Sequence, residues 1–355
     1  MKTPIKTGLV GYGLGGKCFH APFIAHLPQY ELTSVVERKN NESQERYPSV
    51  KVVRSLNDLL ANDSIELVVI TTPNNTHFDF AVQALEAGKH VVVDKPMTVT
   101  SREAMKLIQF AQEKNKVLSV YQNRRYASDG LTIKKILAEK LLGKVFEFES
   151  QFNRYRPELK SSWKETLDGG SGILYDLGAH LIDQACSLFG LPQSITADIR
   201  KQREGTEADD YFDIRLSYGF TKVIMKAGML VREQGPRYMI QGTKGSFIKY
   251  GDDPQDADAR AGKTPSDPTW GIESEESFGL LHTEINGAII KKRIPSEKGD
   301  FGIYYQHLAN TLLNNAPLKE KPEHGFNVVR LIELAFESNR QQRTLFCDGL
   351  INTTY

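Results

Sequence analysis

The first half of this chain contains short segments that are predicted to be strands, separated by segments with helical spacing. The strand candidates are Lys6–Val10, Leu32–Val36, Ile65–Ile70, His90–Val93 and Val117–Tyr121, and the clearest apolar run among them is Ile65–Ile70. Uninterrupted apolar runs are typical of strands that are covered on both faces of a parallel sheet. Strands that alternate with helices predict a doubly wound α/β sheet with right-handed crossovers.

The second half shows single alternation of apolar and polar residues instead. It is clearest in Val145–Phe152 and Tyr211–Tyr218, and Lys222–Val231 and Arg237–Gln241 are similar. This alternation indicates a sheet with one covered face. We therefore predict an α+β region with an open, mostly antiparallel sheet, for which a helix and a second subunit are the candidate covers.

Polar and glycine-rich segments mark the ends of these elements. Thr76 is predicted to cap a helix over Phe78–Ala87, which Gly88 ends. The segment Asp252–Glu276 is rich in Asp, Pro and Gly and has almost no apolar run, which predicts a long loop.

A glycine-rich turn follows the first predicted strand. Gly11, Gly13 and Gly16 fit the spacing G-x-G-x-x-G, with Leu14 inside the turn. The first glycine makes the tight turn, the second lets a pyrophosphate approach the backbone, and the third lets helix pack on strand. A flexible loop has the same letters, but here a strand precedes the turn and a helical segment follows it. The pattern predicts dinucleotide binding by a Rossmann domain over residues 1–122, with the phosphates at the helix amino end.

Charged residues of both signs follow the second predicted strand, where a dinucleotide-binding fold contacts the adenosine ribose. An acidic side chain such as Glu37 accepts hydrogen bonds from the ribose of NAD, whereas Arg38 and Lys39 suit the additional phosphate of NADP. The alternative is a solvated charged turn. Two adjacent cations favour NADP, with NAD as the second possibility.

A polar turn follows the run Ile65–Ile70. Thr72, Pro73, Asn74 and His77 belong to it. Because ligands bind at the carboxyl ends of parallel strands, we expect these residues near the nicotinamide end of the cofactor. A capped helix start without any ligand is an equally good explanation.

The run His90–Val93 ends in Asp94, Lys95 and Pro96. Proline restricts the backbone of the lysine before it, so the ammonium group is aimed from a rigid strand end. A lysine placed there is able to serve a reacting hydroxyl. An ordinary strand end with a solvated lysine is the alternative.

A carboxylate and an imidazole lie four residues apart in a segment predicted to be helical through Phe189. Asp176 and His180 would share one face of that helix, and Asp183 would lie on roughly the same side. The pair is a candidate proton-transfer site, because histidine titrates near neutral pH. A surface ion pair or a core histidine is the alternative. No metal site is predicted, because a third ligand at a convincing spacing is missing and the three cysteines are scattered.

Taken in order, these motifs resemble those of the Gfo/Idh/MocA oxidoreductases, and the resemblance covers essentially the whole chain. It is strongest with the branch that contains NADP-dependent scyllo-inositol dehydrogenase. The matching stretches are Gly11–Leu14 with Phe19–His20, Ser119–Arg125, Asn153–Pro157, Leu174–Gly178 and Ser246–Gly251. This chain departs from the branch at Glu37, where small hydroxyl residues are usual.

The resemblance implies hydride transfer between nicotinamide and a CH–OH or C=O carbon of a cyclitol or sugar. It implies that His180 is the general base in oxidation and the acid in reduction, that Lys95 hydrogen-bonds the reacting oxygen, and that Asp176 anchors a neighbouring hydroxyl. Lys95, Pro96 and Asn123 join the cofactor site, and the Lys95–Pro96 bond is often cis in the family.

The substrate itself is not specified by these motifs. Arg154, Tyr155 and Trp163 are candidates for the wall of a polyol site, because sugars suit aromatic and polar walls; surface residues of a loop are the alternative. Scyllo-inositol and its 2-keto form fit, as do aldoses and anhydro-sugars. Two other classes stay open: an NAD-using glycoside hydrolase and a non-catalytic nucleotide-sensing protein.

Bulk properties restrict the partners. The 355-residue chain has a net charge of +1 at pH 7, which gives no electrostatic basis for nucleic-acid or membrane partners. Its apolar runs are too short to span a bilayer, its start is a strand and glycine turn rather than a signal peptide, and its few cysteines fit a reducing compartment. We expect a cytoplasmic protein. Residues 123–355 form the predicted substrate-binding and oligomerisation domain, and the resemblance implies a homodimer or homotetramer through its sheet.

Overall fold

The computed structural model describes residues 3–160, 162–166 and 169–355. The chain folds into two compact units. The first unit comprises the described residues up to Asn123 together with Gln255–Trp270 and Asp300–Phe326, and the second comprises Arg124–Pro254, Gly271–Gly299 and Asn327–Tyr355. The boundary at 122/123 stays a prediction; two later segments of the chain also belong to the first unit.

The first unit contains a six-stranded parallel sheet. Its strands are β1 (Ile5–Val10), β2 (Tyr30–Val36), β3 (Lys51–Val53), β4 (Leu67–Ile70), β5 (His90–Val93) and β6 (Leu118–Val120). They are ordered β3-β2-β1-β4-β5-β6, and every pair is parallel. The predicted Rossmann sheet is confirmed. Its strand order reverses between β1 and β4, the position where open α/β sheets bind ligands.

The helices follow the chain between and after these strands. The α-helices among the described residues are α1 (Ala21–His26), α2 (Glu42–Arg46), α3 (Leu56–Leu60), α4 (His77–Glu86), α5 (Ser101–Glu113), α6 (Ser128–Ala138), α7 (Ala179–Phe189), α8 (Pro254–Arg260), α9 (Gly302–Asn314) and α10 (Pro322–Gln341). π-Helical turns, Gly15–His20 and Leu174–Gly178, lead directly into α1 and α7.

The predicted long loop over Asp252–Glu276 is wrong in part. It contains α8, and Trp270 near its end is 2% exposed. The Trp270 ring packs against Phe23 at 5.7 Å, and its indole N–H donates to Gln255 at 3.2 Å. A single large apolar side chain anchors this polar segment in the first unit, which composition alone does not reveal.

The second unit contains a nine-stranded mixed sheet. Its strands are β7 (Val145–Gln151), β8 (Ser194–Arg200), β9 (Tyr211–Tyr218), β10 (Thr221–Gly228), β11 (Tyr238–Gly242), β12 (Gly245–Lys249), β13 (Gly279–Ile285), β14 (Ala288–Ile294) and β15 (Leu345–Phe346). Their order is β14-β13-β12-β11-β7-β10-β9-β8-β15. The pair β7–β10 is parallel and the others are antiparallel, so the predicted open, mostly antiparallel sheet is confirmed.

One face of this sheet forms the core of the second unit. Phe148, Phe212, Ile240 and Phe247 are fully buried in one apolar cluster with side chains of α6, α7 and α10. The alternation seen in the sequence places these residues on a single face.

Candidate active site

The glycine turn after β1 has the backbone geometry of a phosphate-binding loop. Gly11 has a φ of +99°, and its N–H donates to the Val36 carbonyl at 3.2 Å. A Cβ at Gly16 would collide with the Gly11 carbonyl, whereas a Cβ at Gly13 would meet nothing within 4 Å. The second glycine therefore borders open space that suits a pyrophosphate, and Leu14 is exposed beside it.

Glu37 is buried at the end of β2, and its carboxylate is engaged by the first turn of α2. It accepts hydrogen bonds from the N–H groups of Glu42 at 3.1 Å and Ser43 at 2.8 Å, and from the Ser43 hydroxyl. The positive end of a helix dipole favours a carboxylate there. Both oxygens of Glu37 thus bind α2, whereas Arg38 and Lys39 are exposed.

Arg54 braces the turn that carries these two exposed cations. Its guanidinium donates to the carbonyls of Glu37 at 2.9 Å and Asn40 at 2.7 Å, and to the Asn41 side chain at 2.7 Å. Arg54 therefore fixes the backbone of the turn that carries Arg38 and Lys39.

The segment after β4 forms a 3₁₀ turn, Asn74–Thr76, before α4. The hydroxyls of Thr72 and Thr76 lie 2.6 Å apart, and that of Thr76 donates to the Pro73 carbonyl at 2.7 Å. The predicted cap is wrong in detail, because Thr76 is at the N-cap position but makes no capping hydrogen bond. Its hydroxyl is already used within the turn, where Asn74 is buried.

His77 is buried at the start of α4, and both of its ring nitrogens face carbonyl oxygens. Nδ1 lies 2.9 Å from the Pro96 oxygen and Nε2 lies 2.9 Å from the Thr72 oxygen. Burial lowers the pKa of His77, although the charge of Asp94 opposes the shift. A neutral imidazole has one N–H, so it donates to one of the two carbonyls. His77 lies between the segments that follow β4 and β5.

Lys95 is the second residue after β5, and the Lys95–Pro96 peptide bond is cis. The Asp94 carboxylate accepts a hydrogen bond from the Lys95 backbone N–H at 2.8 Å. A Cβ at Gly15 would lie 3.1 Å from the same carboxylate, so this strand end adjoins the glycine turn. Asn123 follows β6 on the same edge of the sheet and is buried. The first unit thus gathers the predicted cofactor residues at the carboxyl ends of neighbouring strands.

Asp176 and His180 belong to the second unit. Asp176 lies in the π-helical turn Leu174–Gly178, and His180 lies at the start of α7. The predicted regular helical spacing is wrong for this turn, which is wider than an α-helix and of a kind found often at functional sites. Both side chains are half-buried.

Lys164 contacts the Asp176 carboxylate at 2.7 Å. It lies in a segment that the buried Arg203 holds. The Arg203 guanidinium donates to the Glu158 carbonyl at 3.2 Å and to the Glu165 carboxylate at 3.3 Å. Lys164, which pairs with Asp176, therefore lies in a segment that Arg203 holds in place.

Asp183 has a different partner from Asp176. Its carboxylate binds the Arg125 guanidinium through two hydrogen bonds of 2.8 and 2.6 Å, and its side chain is 2% exposed. A bidentate pair of this kind is specific and strong. Asp183 thus ties α7 to the segment before α6.

The predicted substrate residues differ in their surroundings. The Arg154 guanidinium lies 5.3 Å from the Phe152 ring, and burial lowers the pKa of Arg154, which the charge of Asp176 opposes. Tyr155 is 40% exposed, and Arg232 lies 3.8 Å above its ring. Trp163 is half-buried in a 3₁₀ turn.

Two family models match this chain over most of its length. That of the oxidoreductase family's NAD-binding Rossmann fold matches residues 5–122, and that of the family's C-terminal alpha/beta domain matches residues 134–345. The chain belongs to the Gfo/Idh/MocA oxidoreductase family. It is an oxidoreductase with an NAD-binding Rossmann domain, as the resemblance implied.

Similar members of the Gfo/Idh/MocA family cover nearly the whole chain. The scyllo-inositol 2-dehydrogenase (NADP(+)) IolW of Bacillus subtilis is 41% identical over 97% of this chain and 96% of its own length. The structure of the oxidoreductase yvaA from Bacillus subtilis has a TM-score of 0.94 at 41% identity, covering 98% of this chain and 99% of that one. An oxidoreductase from Bacteroides fragilis has a TM-score of 0.90 at 45% identity, covering 97% and 100%.

Within the part of the chain that the structure describes, no helix is long and apolar enough to cross a membrane. Across those same residues, no group of three or more His, Cys, Asp or Glu side chains is placed to hold a metal ion.

Three side chains that lie next to predicted site residues were not singled out as candidates from the sequence. Lys164 pairs with Asp176, Asp94 adjoins the glycine turn, and His20 lies 3.7 Å from Asp94. Their position in the sequence could have pointed to them, because each adjoins a residue or stretch already singled out. Lys164 follows Trp163, Asp94 precedes Lys95, and His20 lies in a stretch that matched the family.

Proposed function

We propose that this oxidoreductase catalyses reversible hydride transfer between NADP and a CH–OH carbon of a cyclitol or sugar, with scyllo-inositol and its 2-keto form as first candidates. One observation carries the proposal: Lys95 lies two residues after β5, next to Asp94, whose carboxylate adjoins the glycine turn. The similarity to an NADP(+)-dependent scyllo-inositol 2-dehydrogenase over almost the whole chain supports the choice of substrate.

In this proposal each candidate side chain has one task. When bound, NADP supplies the hydride acceptor for oxidation and the donor for reduction. Lys95 hydrogen-bonds the reacting oxygen and stabilises its alkoxide character. His180 takes the hydroxyl proton in oxidation and returns it in reduction. Asp176 accepts a hydrogen bond from a neighbouring hydroxyl and so orients the ring.

The preference for NADP rests on the end of β2. The two Glu37 oxygens bind the backbone of α2, so a ribose would compete with those hydrogen bonds. Arg38 and Lys39 are exposed on the braced turn beside it. A phosphate monoester suits such a pair of cations better than a neutral ribose does.

A screen of polyols, aldoses and anhydro-sugars against NAD and NADP tests the proposal through nicotinamide absorbance. We expect turnover with scyllo-inositol or a related cyclitol and a higher kcat/KM with NADP. Activity confined to aldoses or anhydro-sugars would assign the same chemistry to that alternative. Glycoside cleavage without a lasting absorbance change, or nucleotide binding without turnover, would overturn the proposal.

Variants test the assigned roles in the same assay. Lys95→Ala and His180→Ala are expected to lower kcat about 100-fold or more, because proton transfer and oxyanion stabilisation contribute factors of that size. NADPH binding, followed by fluorescence, should change little. Lys106→Ala removes an exposed cation of α5 and serves as the control. Near-parental rates in both active-site variants would show that the roles are wrong.

A further inference from the structure

A fully buried histidine, His20, lies next to Asp94, the residue that precedes Lys95. His20 ends the π-helical turn that follows the glycine motif and is 0% exposed. Its Nε2 lies 3.7 Å from Asp94 Oδ2, and its Nδ1 lies 2.6 Å from the Tyr305 hydroxyl. The imidazole therefore bridges a tyrosine of α9 and the carboxylate next to Lys95.

The chemistry of the two neighbours assigns the proton on the ring. A carboxylate accepts hydrogen bonds and does not donate them, so the nitrogen that faces Asp94 is the one that carries hydrogen. The Nδ1 lone pair of His20 then accepts from the Tyr305 hydroxyl. Burial raises the pKa of Tyr305 well above its ordinary value, so this hydroxyl keeps its proton.

The bridge is held rigidly on its far side. Tyr30 donates a hydrogen bond to the Tyr305 carbonyl at 2.6 Å, and the ring centroids of Tyr30 and Tyr305 lie 5.5 Å apart. The Tyr121 ring packs on His20 with centroids 4.1 Å apart. A buried ring that is packed in this way has little freedom to turn.

The Asp94 carboxylate is in turn bound to the backbone of Lys95. Its Oδ1 accepts from the Lys95 N–H at 2.8 Å, while Oδ2 faces His20 and adjoins Gly15. Any rotation of this carboxylate would disturb the backbone from which the Lys95 side chain extends.

We propose that His20 is a positioning residue for hydride transfer: its Nε2–H, kept in place by Tyr305, fixes the Asp94 carboxylate and through it Lys95. The inference rests on the role proposed for Lys95. The distance of 3.7 Å exceeds a normal hydrogen bond, and such contacts often tighten only when ligands bind.

Titratable groups from several elements surround Asp94. Its pKa lies below the ordinary value: burial opposes the shift, and His20, Lys95 and His77 outweigh burial. The Tyr305 hydroxyl lies on the far side of the His20 ring, 2.6 Å from Nδ1. Removal of the imidazole takes away one group that keeps Asp94 ionised, so protonation of Asp94 should begin at higher pH.

Kinetics of paired variants provide the first test. His20→Leu is expected to lower kcat about tenfold, with KM for the polyol within about twofold, because the lysine stays present but is no longer held in place. His20→Gln keeps an N–H donor near the Nε2 position and should retain most of kcat. Equal losses of kcat in both variants, or a parental kcat in His20→Leu, would overturn the inference.

Tyr305→Phe is a second variant, which tests the same bridge if His20→Leu fails to fold. It keeps the ring volume and removes the hydroxyl that fixes the tautomer. It should lower kcat by a smaller factor than His20→Leu and leave KM for the polyol unchanged, whereas a parental kcat would contradict the bridge.

Imidazole ¹⁵N spectra provide a second test that needs no substrate. Selective labelling of the eight histidines, with His20→Gln to identify the signals of His20, reports which ring nitrogen carries the proton. We expect protonated Nε2 and bare Nδ1. The opposite tautomer would sink the inference even if polyol turnover is found, and the expected tautomer would support the bridge even if the proposed substrate class is wrong.

Discussion

Glu37 and Arg38 are neighbours in the chain with opposite surroundings. Glu37 is 7% exposed, and backbone N–H groups of α2 surround its carboxylate. Arg38 is exposed. The sign of the charge alone made both candidates for the cofactor ribose. Burial and hydrogen bonding distinguish a carboxylate that the fold already engages from a cation that stays accessible to solvent.

At this residue scale we predict that Arg38 and Lys39 determine the cofactor preference. Arg38→Ala with Lys39→Ala should raise KM for NADP about 10- to 100-fold, the size expected for lost charge-assisted hydrogen bonds, while KM for NAD changes little. Steady-state kinetics with both cofactors measure this, with Lys106→Ala as the control. A parallel change for both cofactors would argue against phosphate recognition.

Elements of the first unit are linked by side chains as well as by strand pairing. His90 begins β5, and its Nδ1 accepts a hydrogen bond from the Val117 N–H at 2.9 Å. Burial lowers the pKa of His90 from 6.5 to about 4. The neutral imidazole is therefore part of the connection between β5 and β6, since protonation would remove the acceptor.

This linkage predicts a pH dependence of stability. Between about pH 6.5 and 4 the unfolded chain binds a proton at His90 that the folded chain does not, so the free energy of unfolding falls as pH decreases through this window. Urea unfolding should show a shallower decline in His90→Gln than in the parent, with the exposed His26→Gln as control. Identical slopes in His90→Gln and the parent would contradict the prediction.

The π-helical turn that carries Asp176 is also held by Asp209, which lies shortly before β9. Asp209 accepts hydrogen bonds from the Leu174 N–H through its carboxylate at 2.8 Å and from the Ile173 N–H through its carbonyl at 3.0 Å. Burial raises the pKa of Asp209 to about 6. This carboxyl holds the start of the π-helical turn.

We predict that Asp209→Ala raises KM for the polyol about tenfold, because the turn that carries Asp176 loosens, while NADPH binding stays near the parental value. Asp209→Asn keeps an acceptor oxygen for Leu174 and is the matched control. Kinetics and fluorescence titration measure the two effects. Equal KM values in the parent and Asp209→Ala would show that the contacts of Asp209 with the turn have no role in substrate binding.

At the scale of the whole molecule, the face of the nine-stranded sheet opposite the core carries an apolar row. Strand register places Leu280, Ile248 and Met239 in one cross-strand row, and all three are half-buried. They lie on the face opposite the core residue Phe247. A partly exposed apolar row of this kind is typical of an association surface.

We therefore predict a homodimer or homotetramer in which a second copy covers this row. Sedimentation should detect the oligomer in the parent, and Ile248→Asp should shift it toward monomer, because a buried carboxylate without a partner is costly. Phe220→Asp, at an exposed turn between β9 and β10, is the control. A monomeric parent would overturn the prediction.

Local chemistry determined much of this architecture. The strands β1, β4 and β5 and the glycine turn were predictable, because apolar runs and the left-handed φ of Gly11 are properties of short segments. The three-residue β3 and the helix α8 inside a polar segment were not, since their patterns are too short or too polar. The candidate residues Lys95, Asp176 and His180 were also found by motif, and their roles stay predictions.

The sequence by itself determined where the chain turns, which strands are buried and which residue types stand at strand ends, because these depend on neighbours within a few positions. Only the tertiary structure decided that Glu37 caps a helix, that Lys164 pairs with Asp176, and that His20 meets Tyr305 from 285 residues away. Hydrogen bonds and ion pairs join side chains that the fold brings together, so their partners exist only once long-range packing has formed.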